Sequence, residues 1–233
     1  MHAPVVALLL AAATAAPGPW QAIGPGAERL RLDQPGLRLE LFRFDLQKYR
    51  AEVVVLGPEQ PRSASALRAE TGAVAAVNGG FFDEQWRSLG MRIASGKTVI
   101  GLRPRVDWGV LVLRGGRARI VHSKEFRADP TIEQAIQVGP RLLSGGQPMR
   151  LKPQSARRTA VAIDRDGRFL TLVLADEPAE AQRLAEALAG LGFDAALMFD
   201  GGPSTQLALE LGAVKLTLAG GYAVPDALVI RQR

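Results

Sequence analysis

The sequence predicts an α+β fold: a single domain with a mixed β-sheet core, several hairpins and few helices. Three observations carry that expectation. Apolar residues make up 47% of the 233 residues and charged residues 22%, the proportions of a chain that buries a core. Glycine (25) and proline (15) interrupt the chain too often for a helical bundle. Alternating apolar and polar runs recur across Gly-Gly and Asp-Gly turns, whereas helical periodicity is convincing only once.

Residues 3–16, APVVALLLAAATAA, are apolar or small and precede Pro-Gly-Pro. This run is shorter than the ~20 residues that span a bilayer. Ala13-Thr14-Ala15 fits a small-x-small cleavage site, so residues 1–16 read as a secretory signal peptide. The protein is then expected to be exported, periplasmic or secreted, without stable membrane insertion. The Pro- and Gly-rich residues 17–28 read as a leader or linker, and the domain as 29–233.

Residues 37–46, LRLELFRFDL, alternate but slip phase between Leu41 and Phe42, which predicts a strand with a bulge. Residues 51–56 form a second strand. Ser63 caps a short helix running through Glu70, and Gly72 ends it. Residues 73–77 are a fully buried strand. Hairpins follow at 107–122, 141–149, 158–176 and 205–218, the third turning at Asp166-Gly167. Asp176 or Glu177 is expected to cap the one convincing helix, with Pro178 near its first position. Leu184, Leu188 and Leu191 supply its apolar stripe, and Gly190 and Gly192 its stop. Residues 195–199 and 226–230 are the last two strands.

The missing residue types narrow the chemistry. Without Cys there is no thiol nucleophile, no disulfide and no Cys-type metal site. Of the two His, His2 falls in the expected leader. His122 ends a hairpin and is assigned no role, so a two-His metal motif is excluded within one chain. The net charge of +6 is scattered rather than gathered in a Lys/Arg block or recognition helix. It reads as a solvated basic surface, with no nucleic-acid partner. Catalysis must rest on carboxylates, Arg, Lys, hydroxyls and backbone N–H groups.

Two segments echo each other. One apolar run leads into Asn78-Gly79-Gly80-Phe81-Phe82, another into Asp200-Gly201-Gly202-Pro203-Ser204. Gly-Gly after a strand exposes backbone N–H groups and can form an anion-binding nest; a plain tight turn is the alternative. Asp200 follows apolar residues and is expected to be shielded, with a raised pKa. It suits a nucleophile, a general base or a metal ligand. Ser204 donates to a ligand oxygen or caps the next element. Arg141 and Arg158 offer the planar fork that fits phosphate. Asp176 is a second site carboxylate or a helix cap. No cofactor is certain, but Asp200, Asp176 and Asp83 leave room for a divalent cation held by carboxylates and carbonyls.

Together these segments resemble the phosphodiester glycosidase family, which includes the mannose 6-phosphate uncovering enzyme. The matching pieces are Asn78-Gly79-Gly80-Phe81-Phe82, Gln137-Val138-Gly139-Pro140-Arg141-Leu142, Arg158-Thr159-Ala160, the strand ending at Asp176 with its following helix, and Asp200-Gly201-Gly202-Pro203-Ser204-Thr205. The resemblance implies a bacterial-type single domain that hydrolyses the bond between a sugar anomeric carbon and a phosphodiester oxygen. The partner is then a small-molecule or glycan substrate carrying a phosphodiester. Asp200, Asn78 and Asp176 are implied as catalytic. Gly79, Gly80, Phe81, Arg141, Arg158, Gly201, Gly202 and Ser204 are implied as substrate- or phosphate-binding. The chain departs from the pattern at Pro203, where a third Gly is usual, and at Asp226, where Asn is usual. Two other readings stay open: a non-catalytic cell-envelope module that binds glycan or anionic polymer, and a metal-dependent phosphoesterase.

Overall fold

The computed structural model describes residues 19–104 and 106–233. The signal peptide expected at 1–16 lies outside the described residues. Strands β1 (Gln21–Gly24), β2 (Ala27–Gln34), β3 (Leu37–Asp45) and β4 (Tyr49–Val55) come first, then α1 (Ala64–Thr71) and β5 (Ala75–Asn78). Next are β6 (Arg92–Ala94), β7 (Lys97–Ile100), β8 (Gly109–Arg114), β9 (Arg117–His122) and β10 (Gln134–Val138). β11 (Arg141–Ser144), β12 (Gln147–Pro148), β13 (Ser155–Ile163) and β14 (Phe169–Glu180) lead to α2 (Ala181–Gly190) and β15 (Ala195–Met198). A 3-10 turn (Gly202–Ser204) precedes β16 (Leu207–Leu211), β17 (Val214–Leu218) and β18 (Asp226–Gln232).

The strands form three sheets, so the molecule is largely β. Their orders are β1-β2-β3-β14-β13-β15-β11-β12, β7-β6-β10-β8-β9 and β17-β16-β5-β18-β4. Every pairing among the described residues is antiparallel, which corrects the expected mixed sheet. The cause lies in the two helical crossovers. Each joins strands that point the same way, β4 to β5 and β14 to β15. Each also skips one place in its sheet, and an antiparallel strand fills the gap: β18 in one, β13 in the other.

Inner-facing residues of all three sheets share one core, including Phe42, Phe44, Leu111, Ile136, Leu197 and Leu228. Outside the first sheet, α2 buries Leu184 and Leu188 against Leu41, Ala162 and Val173. Outside the third, α1 sets Leu67 against Ala76, Ala208 and Val229. Strand β3 is therefore covered on both faces. That explains the phase slip: Leu41 and Phe42 point into different cores, and both are fully buried. No bulge exists there, since its register with β2 and β14 runs unbroken.

Other expectations need correcting. Residues 21–28 are no linker. They pair as β1 and the start of β2, and Trp20 beside them lies under the Arg43 guanidinium. Strand β14 does not end at Asp176. It continues to Glu180 because Ala179 and Glu180 pair with Ala156 and Ser155. Pro178 falls inside a bulge of β14, where Asp176, Glu177 and Pro178 face Arg157 alone and a missing N–H costs little. Helix α2 thus begins at Ala181 with Glu180 as N-cap, and neither Asp176 nor Glu177 caps it. The first helix follows its local code. Ser63 Oγ accepts from Ala66 N at 3.1 Å, and Gly72 closes the helix at φ 64°.

Candidate active site

Strands β5 and β15 belong to different sheets, yet their Gly-Gly ends meet. Asp200 N donates to Gly79 O at 3.1 Å. Asn78 Nδ2 donates back to Asp200 O at 2.8 Å and to Gly79 O at 3.3 Å. Asn78 Oδ1 accepts from Thr159 Oγ1 at 2.7 Å and from Gln206 N at 3.2 Å. The amide is buried and both its ends are committed. Asn78 therefore ties the two motifs together and has no group left to hold a sugar hydroxyl or a water.

Asp200 sits on this junction. Its Oδ2 accepts from Ser204 Oγ at 2.6 Å and its Oδ1 from Gly201 N at 2.9 Å. Burial pushes the carboxyl above its usual range, the two hydrogen bonds oppose that shift, and the charge of Asp226 adds to it. Ser204 is buried, and its Oγ also lies 3.3 Å from the Tyr222 hydroxyl. The 3-10 turn brings Ser204 back over Asp200, and Gly202 allows that turn at φ 58°.

The amides of Gly79 and Gly80 were expected to face a ligand, but they do not. Gly79 N donates to Asp226 O and Gly80 N to Asp226 Oδ1, both at 2.9 Å. Asp226 Oδ2 in turn pairs with Arg92 at 3.0 Å, and both side chains are almost fully buried. Arg92 also donates to the carbonyls of Leu89, Met91 and Gln137. The glycines are required by crowding. A Cβ at Gly79 would collide with Asp226 Oδ1, and one at Gly80 with Arg92. Arg92 had no signal in the sequence, because it lies on a three-residue strand with no visible periodicity. Asp226 was visible only as a departure from a pattern.

The two phosphate-binding candidates differ. Arg141 opens β11 beside Leu197, just before Asp200. No hydrogen bond or ion pair to the described residues engages its guanidinium. Arg158 is buried and donates to Ala179 O, Gln154 O and the Met198 sulfur. Burial pulls its pKa down, with no carboxylate beside it to offset the effect. Arg158 thus commits three of its five N–H groups to the fold. Phe81 packs against the central core, 5.1 Å from the Trp108 ring.

Asp176 lies apart from this junction. It pairs with Arg157, which also donates to Ala219 O at 3.0 Å. Asp176 lines a separate groove with Arg31, Arg38 and Glu40. Asp83 is held by Arg87 and by its own loop. The three carboxylates considered for a cation are thus drawn to different partners. Among the described residues no three acidic or His side chains converge on one point.

A sequence model described as phosphodiester glycosidase (NAGPA) matches residues 71–231. Among solved structures, one similar fold is the catalytic domain of zebrafish N-acetylglucosamine-1-phosphodiester alpha-N-acetylglucosaminidase, auto-inhibited by pro-peptide. It aligns with a TM-score of 0.70 at 17% identity, over 90% of this chain and 85% of that one. A hypothetical protein from Synechocystis aligns with a TM-score of 0.62 at 16% identity, over 89% of this chain and 62% of that one. None of the curated proteins matches the chain. At these identities the structural likeness establishes the fold.

Proposed function

The chain belongs to the phosphodiester glycosidase family, and from that premise we propose that it hydrolyses sugar-1-phosphodiesters at the anomeric carbon. The observation that carries the reading is Asp200: a shielded carboxylate, oriented by Ser204 and the Gly201 amide, at the junction of two strand ends. In the reaction the bond between C1 and the bridging oxygen breaks. Its electron pair leaves with the phosphomonoester, and water supplies the new hydroxyl on C1. The transition state is oxocarbenium-like, and a nearby carboxylate stabilises or captures it. Asp200 takes that role.

Many glycosidases add a second carboxyl as general acid. Here the neighbouring Asp226 is buried on Arg92 and unable to reach a leaving group. A phosphomonoester leaves without a proton, because it is a far weaker base than a sugar alkoxide. It needs positive charge instead, which Arg141 supplies directly and Arg158 through its buried field. Asn78 is a positioning residue in this scheme. Asp176 enters only through Arg157, whose carbonyl lies against Gly201. The name of the zebrafish relative suggests an N-acetylhexosamine as the sugar. With the leader expected at residues 1–16, the setting is periplasmic or extracellular.

The test is hydrolysis of a panel of sugar-1-phosphodiesters, with and without EDTA, by the purified protein and by Asp200→Ala. Free sugar should accumulate with the wild type in either buffer. The variant should be slower by at least about a hundredfold, the loss typical of removing one group aimed at transition-state charge. Undiminished turnover in Asp200→Ala would remove that carboxylate from the mechanism. Saturable binding of the panel without turnover would favour the envelope binding module.

A further inference from the structure

Beside Asp200 stands an aromatic cluster that none of the steps above uses. Phe82 and Trp86 stack with ring centroids 4.9 Å apart and planes 14° apart. Tyr222 meets both rings edge-on, at 5.9 Å and 5.5 Å. Tyr222 is also 41% exposed, one of two large apolar side chains that open to solvent among the described residues. Its hydroxyl lies 3.3 Å from Ser204 Oγ, which donates to Asp200. Hydrogen bonds therefore link the exposed Tyr222, through Ser204, to the carboxylate.

Both sides of this cluster are fixed in place. Trp86 holds φ at 61°, a conformation that bulky side chains rarely adopt. Its loop over-determines it. Asp83 Oδ1 accepts from Gln85 N and Arg87 N at 3.0 Å, and Trp86 N donates to Asp83 O at 2.9 Å. Strain of this kind persists where the surroundings enforce it, and it gathers at ligand clamps. On the other side, Gln206 Nε2 donates to Tyr222 O at 3.1 Å, and Gly221 N donates to Pro203 O at 2.8 Å. Pro203, one of the two departures from the family pattern, thus packs under the loop that presents Tyr222.

We propose that Phe82, Trp86 and Tyr222 form the wall that receives the apolar face of the substrate's sugar ring, a proposal that rests on the hydrolase reading of Asp200. A pyranose carries C–H groups on its faces and hydroxyls round its rim. The indole and phenol rings suit the faces; the Tyr222 hydroxyl suits the rim. A flat nucleobase would call for a slot between parallel rings. Tyr222 instead stands at 88° to Trp86, which makes a corner.

The test is binding followed by turnover. N-acetylglucosamine, glucose, mannose, adenosine and inorganic phosphate are titrated into the wild type, Trp86→Ala, Tyr222→Ala and Tyr222→Phe. Tryptophan fluorescence and calorimetry are the readouts, and thermal melts check folding. At least one of the three sugars should bind saturably to the wild type. Both alanine variants should weaken that binding at least tenfold, whereas Tyr222→Phe should keep most of it. Phosphate binding should stay within twofold throughout. On a phosphodiester substrate the alanine variants should raise KM far more than they lower kcat. Sugar binding unchanged in folded Trp86→Ala and Tyr222→Ala, no binding of any sugar, or tighter binding of adenosine would each overturn the wall. Sugar binding that depends on the wall, in a wild type that hydrolyses nothing, would keep the wall and refute the hydrolase reading.

Discussion

Asp200 carries a cost that is visible in its protonation. Its folded-state pKa lies above the usual carboxylate range because burial disfavours the charge. The folded protein therefore holds this proton more tightly than the unfolded chain does. Stability from the group is complete below the unfolded pKa, near 4, and is lost as pH rises through the folded value. Asp200→Asn keeps one acceptor, for the Gly201 amide, and turns an amide donor towards the Ser204 hydroxyl, which can accept; it cannot ionise. Its melting temperature should exceed that of the wild type at pH 7, and the gap should close towards pH 4. Parallel pH profiles in thermal melts would contradict this account of the site. The motif around Asp200 was legible because a carboxylate and two glycines after an apolar run are unusual in one place. The fate of the Gly79 and Gly80 amides was not. Their acceptor, Asp226, lies more than a hundred residues away in sequence, and only strand pairing brings it underneath. The same distance hid the approach of Tyr222 to Trp86.

Among the elements, the hairpins were the most readable, since their turns are local. The β13–β14 turn shows what that local code costs. Asp164 Oδ1 accepts from Phe169 N at 2.8 Å, and the carboxyl is pushed up to about 6, first by burial and then by a hydrogen bond shared with Asp166. Asp166 moves down in return, so the two titrate as a pair. The sign for Asp164 matches that of Asp200: its contribution is complete below pH ~4 and is lost as pH rises through about 6. Asp164→Asn should flatten the fall in stability between pH 4 and pH 7 in urea melts, and an unchanged slope would refute the assignment. Elsewhere local signals misled where tertiary pairing overrode them. Pro178 has the look of a first helical residue, yet pairing with Ser155 and Ala156 extends β14 past it. The apparent slip in β3 came from burial on two faces, which a strand in a one-sided sheet would not show.

The whole molecule places its site between sheets rather than within one. Asn78 ends a strand of the third sheet, Asp200 follows a strand of the first, and Arg92 belongs to the second. That convergence was not legible, because the order of strands depends on crossovers that skip a place. The exposed ion pairs that occupy many of the arginines were equally unreadable, and each adds little to stability. The convergence does constrain the chemistry. The Asp200 carboxylate is shielded, and its acidic neighbour Asp226 is locked on Arg92. The proposed function puts the attack at carbon, where one carboxylate suffices, and not at phosphorus. The most direct measurement is therefore the bond that breaks. A sugar-1-phosphodiester should be hydrolysed in water enriched in oxygen-18, and both products analysed by mass spectrometry. The label is expected on the anomeric hydroxyl of the sugar, with an unlabelled phosphomonoester. Label in the phosphate would mean cleavage at phosphorus, and would contradict the role given to Asp200.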